Sequence, residues 1–152
     1  MLPIAIGADD AAFEFKDQIT NYLKSKGLSV IDYSADVQPE NKLYPDVAQA
    51  VAIAIKDGKH ERGILICGTG IGVAISANKV FGIRAAQCHD TFSAERARKS
   101  NNAQIMTMGA RVIGIELAKK IVQVWLDSEY EGGGSAPKVE RISYYEQQNY
   151  KK

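Results

Sequence analysis

Short apolar runs alternate along this chain with longer segments whose apolar residues recur every three or four positions. The runs Pro3–Ala8, Leu28–Tyr33, Ile64–Cys67, Gly82–Gln87 and Ala103–Met108 read as strands. Ile64 to Cys67 have no polar break, as expected of a strand buried on both faces of a parallel sheet. A first helix begins at Asp9-Asp10, with Phe13, Ile19 and Leu23 at helical spacing and Gly27 where a C′ glycine belongs. A second opens at Tyr44-Pro45-Asp46, places Val47, Val51 and Ile55 on one face and closes at Gly58. Val73–Asn78 and Ser93–Lys99 have helical character, the latter with Asp90 or Thr91 as N-cap. A further helix runs from about Ile113 to Leu126, with Leu117, Ile121 and Trp125 as its apolar stripe. Glu131–Ser135 reads as a flexible break, and Pro137 begins a last helix through Val139, Ile142 and Tyr145.

Strands alternating with helices define an α/β class with a doubly wound, five-stranded parallel sheet and right-handed crossovers. The expected strand order is 2-1-3-4-5. That order reverses between the first and third strands, so a ligand crevice is expected there, at the C-terminal ends of the strands. Ala8-Asp9-Asp10 then neighbours Cys67–Gly72, and His89, after the fourth strand, shares the rim.

The 152 residues suit one domain over 1–152, with no internal repeat. A net charge of +1 gives no electrostatic case for nucleic acid or an anionic membrane as the main partner. No apolar run approaches a membrane span, and the N-terminus shows no leader pattern. Two cysteines, Cys67 and Cys88, make neither a disulfide framework nor a zinc site, and fit a reduced, cytoplasmic compartment.

Chemistry concentrates at Cys67-Gly68-Thr69-Gly70-Ile71-Gly72. Glycine reaches φ > 0 without a Cβ clash, so alternating glycines turn backbone N–H groups toward one point. A thiol at a strand end facing such amides is set up to meet an anion and to favour its own thiolate form. The loop lacks the Gly-Lys-Ser/Thr ending of a Walker A motif, and Val73 stands where a dinucleotide fingerprint needs its third glycine. Two readings stay open on spacing alone. One is a buried structural cysteine beside a tight turn. The other is a thiolate that moves a carbon-bound proton while the amides hold the enediolate oxygen, as metal-free aldose–ketose isomerisation requires.

Ile64–Gly72, Ala77-Asn78-Lys79-Val80, Gly82–Ala86, Asn101–Ile105, Met108–Gly114 and Glu131-Gly132-Gly133 together resemble the ribose-5-phosphate isomerase B / galactose-6-phosphate isomerase family. The resemblance spans nearly the whole chain. It implies a Rossmann-like three-layer α/β sandwich acting on a small phosphorylated sugar, with no metal or organic cofactor. It also implies a homodimer or dimer of dimers with shared active sites, the helix over 137–150 contacting a partner. By position, Cys67 is the base that moves the proton between C1 and C2, and Thr69 assists at the sugar hydroxyls. Gly68, Gly70, Ile71 and Gly72 belong to the anion hole. Asp9 and Tyr44 match sugar-contacting positions, while Asn101 and Arg111 match positions that reach a site across the dimer interface.

Three departures bear on substrate. The family's Asp-His after the first strand is Asp9-Asp10, its ring-opening histidine is Ser100, and its arginine-rich phosphate segment is Gly132–Lys138, leaving Lys138 as one cation. Arginine to lysine exchanges a bidentate clamp for a point charge. A four-carbon sugar with phosphate on O4 has no hydroxyl left to close a five-membered ring, and so needs no ring-opening group. His89–Ala97 and Ser100–Ile105 resemble the branch that interconverts D-erythrulose 4-phosphate and D-erythrose 4-phosphate. Ribose 5-phosphate or another pentose or hexose phosphate is the alternative substrate. A non-catalytic partner subunit or sugar-phosphate sensor is the alternative class.

Of the remaining residues, His89 is a candidate proton shuttle and Asp10 a candidate hydroxyl contact. Cys88 reads as a packed strand end. His60, Arg96, Arg98 and Lys99 read as solvated, and Arg84 as an interface or strand-end ion pair.

Overall fold

A computed structural model describes residues 1–150. Residues 151–152, included in the single-domain reading, lie outside the described residues. In chain order the elements are β1 (Ile4–Ala8), α1 (Phe13–Ser25), β2 (Val30–Asp32), α2 (Tyr44–Lys56), β3 (Gly63–Cys67), α3 (Ile71–Ala77), β4 (Ala85–Gln87), α4 (Thr91–Lys99), β5 (Ile105–Gly109), α5 (Ile115–Leu126) and α6 (Ala136–Tyr150). A 3₁₀ turn at Gly133–Ser135 sits where the flexible break was expected. Among the described residues no helix is long and apolar enough to cross a membrane.

All four strand pairings are parallel, as the alternating pattern requires. The order, however, is β2-β1-β3-β5-β4, not 2-1-3-4-5. Composition explains the exchange. β5 reads Ile-Met-Thr-Met-Gly and is buried throughout, so it belongs inside the sheet. β4 is the short Ala-Ala-Gln, part-exposed, and suits an edge. Asn78 shields that edge by mimicking a strand: its Oδ1 accepts from the Ala85 N–H (2.8 Å) and its Nδ2 donates to the Ala85 carbonyl (2.9 Å).

The exchange also decides the layers. α1, α4 and α5 cover one face, packing Ile19, Leu23, Ala94, Ala97, Ile121 and Trp125 against Ile6, Ile64, Ile66 and Met106. α2 and α3 cover the other, with Val47, Val51, Val73 and Ala77 against Ala5, Leu65 and Ile105. Steps toward β4 cross by α2 and α3, and the return steps cross by α1 and α4 on the opposite face. All four crossovers therefore share one hand, as right-handed connections demand.

Several side chains differ from expectation. The α5 stripe is Ala118, Ile121, Val122 and Trp125, while Leu117 is exposed. His60 is buried, between the Tyr33 hydroxyl and the Pro3 carbonyl at 2.8 Å each. Arg98 is buried too and donates to the Ala103 carbonyl (2.8 Å). Its guanidinium, like that of Arg62 on the Trp125, Leu126 and Ser128 carbonyls, satisfies backbone that sequence pattern does not reveal as orphaned. Asp90 is the α4 N-cap, its carboxylate accepting from the Ser93 N–H (2.6 Å). On α6 only Val139 is buried, and Ile142, Tyr144 and Tyr145 are exposed.

The strand order has a direct check by amide hydrogen exchange. With β5 inside the sheet, Met106–Met108 should rank with Ile64–Ile66 among the slowest amides, and Gln87 should exchange much faster. Slower exchange in β4 than in β5 would restore the order 2-1-3-4-5.

Candidate active site

The register carries Ala8 beside Ile66, and Cys67 beside Gly109. One residue further, Asp9 leaves β1 next to Cys67 at the C-terminal edge of the sheet. This is the reversal point between β1 and β3. Beside it lies a cavity of about 400 Å³ whose lining includes Asp9, Tyr44, Cys67, Thr69, Gly72 and Arg111. Gly68 and Ile71 of the expected anion hole also line it, as do Ala11 and Ile75, which sequence reasoning missed.

The Cys67 side chain is buried yet borders this cavity, and the Gly70 N–H points at its Sγ from 3.1 Å. The loop achieves this because Gly70 adopts φ +78° and lies flat on β5. A Cβ there would sit 2.7 Å from the Met108 carbonyl carbon, and one at Gly109 would sit 2.6 Å from that of Thr69. Two glycines thus permit a backbone-on-backbone approach that no side chain allows. A Cβ at Gly72 would collide with the Tyr44 ring, which holds the tyrosine over the start of α3.

Arg111, expected to reach a site across a dimer interface, lines this chain's own cavity. Its N–H donates to the Gly68 carbonyl (3.0 Å), and its guanidinium crosses Gly68, where a Cβ would be 3.2 Å from Nη1. Asp9 lines the same cavity. Burial raises the Asp9 pKa, against the lowering effects of the Ala11 N–H and of Arg111, and neighbouring Asp10 raises it further. Asp9 Oδ1 accepts from the Ala11 N–H at 3.2 Å.

The structure does not bring every expected residue here. Asp10 is exposed and lines a separate depression with the start of α1. His89 is turned to β5, its Nε2 accepting from the Gly109 N–H (2.9 Å), so that lone pair is occupied. Ser100 Oγ accepts from Arg96 Nε (2.7 Å). Asn101 lines a different cavity, of about 360 Å³, between β4 and α6. Lys138 is exposed on α6. Cys88 is buried, and burial pushes its thiol up to about 12, so it is no second nucleophile.

Residues 4–142 match the model of the Ribose/Galactose Isomerase family. The chain is 70% identical over 148 residues to a D-erythrulose-4-phosphate isomerase of Pectobacterium atrosepticum, covering 97% of both chains. It is 51% identical over 148 residues to a ribose-5-P isomerase B of Listeria innocua, covering 97% of this chain and 99% of that one. Among solved structures, ribose-5-phosphate isomerase B of Clostridium thermocellum superimposes with a TM-score of 0.90 at 42% identity, covering 97% of this chain and 99% of that one. The chain belongs to the Ribose/Galactose Isomerase family of sugar-phosphate isomerases.

The raised Asp9 pKa has a sign that can be tested. Its folded-state pKa lies above the ordinary 3.8, so stability is lost as pH rises from the unfolded value through the folded one. Asp9→Asn should therefore have a higher Tm than wild type at pH 7, and the difference should shrink as pH falls toward 3.8. An unchanged or lower Tm at pH 7 would contradict burial as the dominant cause.

Proposed function

We propose that this chain interconverts D-erythrulose 4-phosphate and D-erythrose 4-phosphate through an enediolate, with Cys67 as the base. The observation that carries the reading is the Gly70 N–H on Cys67 Sγ, at a cavity that also holds Asp9, Tyr44, Thr69 and Arg111. The thiolate takes a proton from C1 of the ketose, and the C–H electrons form the C1–C2 double bond as charge moves to O2. The thiol then returns its proton to C2, while a hydroxyl proton passes between O1 and O2. Amides of Gly68 to Gly72 meet the developing oxygen charge, where preorganised donors act most strongly. Thr69 Oγ1, now accepting from the Ile71 N–H (3.2 Å), is placed to guide the hydroxyls.

Arg111 is the cation lining this cavity, and we assign it to the phosphate. Ser100, Asn101 and Lys138 lie outside the cavity of their own chain and are the groups a second copy brings. The exposed Ile142, Tyr144 and Tyr145 of α6 support a homodimer or dimer of dimers in which that helix meets a partner. Ser100 where the family has its ring-opening histidine supports an open-chain four-carbon substrate. The 70% identity to a D-erythrulose-4-phosphate isomerase supports the same choice. A reduced, cytoplasmic setting keeps Cys67 a free thiol.

Steady-state kinetics decide the substrate. We expect kcat/KM for D-erythrulose 4-phosphate to exceed that for ribose 5-phosphate by about 100-fold, the scale on which a pocket separates substrates that differ by one small group. A ratio below one would assign the chain to ribose 5-phosphate. Cys67→Ala should remove turnover and also solvent deuterium uptake into the sugar. Retained uptake would exclude Cys67 as the base.

A further inference from the structure

The geometry points to Thr107 and Gln87 as positioning residues that lock two peptide planes of the loop after β3, and so aim its amides at the thiol and the substrate. This deepens the proposed isomerase reading and rests on it for the substrate, though not for the thiol.

The two residues are register partners on neighbouring strands, Gln87 on β4 and Thr107 on β5, with Leu65 next in line on β3. Leu65 packs among α2 and α3 residues, so all three side chains rise on the face from which α3 begins. Gln87 Nε2 donates to the Thr69 carbonyl at 2.8 Å. Thr107 Oγ1 donates to the Gly70 carbonyl at 2.7 Å, and Thr107 is fully buried. A trans peptide is planar, with C=O and N–H pointing in opposite directions. Drawing the Thr69 carbonyl toward β4 therefore turns the Gly70 N–H the other way, onto Cys67 Sγ. Drawing the Gly70 carbonyl onto β5 likewise turns the Ile71 N–H toward Thr69 Oγ1 on the cavity wall.

The lock is needed because of the residue it holds. Glycine at 70 has the widest conformational freedom of any residue, and left alone the peptide on either side of it can flip. The close approach to Met108 and Gly109 restrains position, but only directional bonds to the carbonyls fix which way the amides face. Neither Thr107 nor Gln87 lines the cavity, so neither touches substrate. A threonine inside an otherwise apolar buried strand, Ile105-Met106-Thr107-Met108, is the trace this leaves in the sequence.

The test uses Thr107→Val, which keeps shape and removes the hydroxyl, and Gln87→Leu, which changes an exposed side chain. Two readouts are taken: turnover of D-erythrulose 4-phosphate, and the rate at which iodoacetamide alkylates Cys67 at pH 7, followed by mass spectrometry. Losing one preorganised donor costs on the order of 10²-fold in kcat. We expect a loss approaching that for Thr107→Val and about tenfold for Gln87→Leu, with KM changed less than about threefold, because the amides act on developing charge more than on bound substrate. Cys67 alkylation should slow in both variants, and Thr107→Ser should restore both readouts. If Thr107→Val does not fold, Gln87→Leu and Thr107→Ser carry the test. Wild-type alkylation rates in Gln87→Leu, or a Thr107→Val defect in Tm alone, would overturn the proposal. If wild type turns over no sugar phosphate while alkylation still follows Thr107 and Gln87, the isomerase reading fails and the peptide lock stands.

Discussion

The contact on which this structure depends is backbone against backbone: Thr69-Gly70 lying on Met108-Gly109. It requires glycine on both sides, and it requires β5, not β4, to be the neighbour of β3. With that neighbour in place, the ladder continues past the strands. The Ala110 N–H reaches the Cys67 carbonyl (2.9 Å) and the Arg111 N–H reaches that of Gly68. One short stretch of β5 and its continuation therefore sets the loop's height, orients its amides and delivers Arg111 to the cavity. The exchange of the last two strands, a departure from the commonest order, is what assembles the site.

Charge is arranged around this backbone sparingly. Asp9 and Arg111 line one cavity, and partial burial holds the carboxyl above its ordinary range. Below them the thiol is buried among apolar side chains of the α2/α3 layer and meets one short N–H contact. Cys88 is buried as well, and burial, with a smaller contribution from Asp90, pushes its thiol up to about 12. The Gly70 N–H meets the Cys67 sulfur at 3.1 Å, whereas Cys88 Sγ lies against the Ala86 carbonyl at 3.6 Å.

Much of this was legible in the sequence. The unbroken Ile64–Cys67 run marks a central strand, and the reversal point brings Asp9 and Cys67 to one cavity. The sheet's far edge departs from the commonest topology, which puts the fourth strand inside and the fifth at the edge. The contrast between Ala-Ala-Gln and Ile-Met-Thr-Met-Gly carries the information that β4 is the edge. Buried Arg98 and His60 were missed for another reason. Whether a charged or polar residue is solvated depends on which carbonyls the fold leaves unpaired, and that is a property of tertiary structure. His89 turns from the cavity to accept from the Gly109 N–H, a partner on β5 that the order 2-1-3-4-5 does not put beside β3.

The central claim is that main-chain donors of the glycine loop receive the charge that a Cys67 thiolate generates. The most direct measurement is a crystal structure with a phosphorylated four-carbon hydroxamate, an unreactive mimic of the enediolate. The account expects its oxygens within hydrogen-bond range, about 3 Å, of amides between Gly68 and Gly72, with Cys67 Sγ against the carbons and Arg111 near the phosphate. A hydroxamate seated instead in the cavity between β4 and α6, with the loop amides facing away from it, would contradict the account.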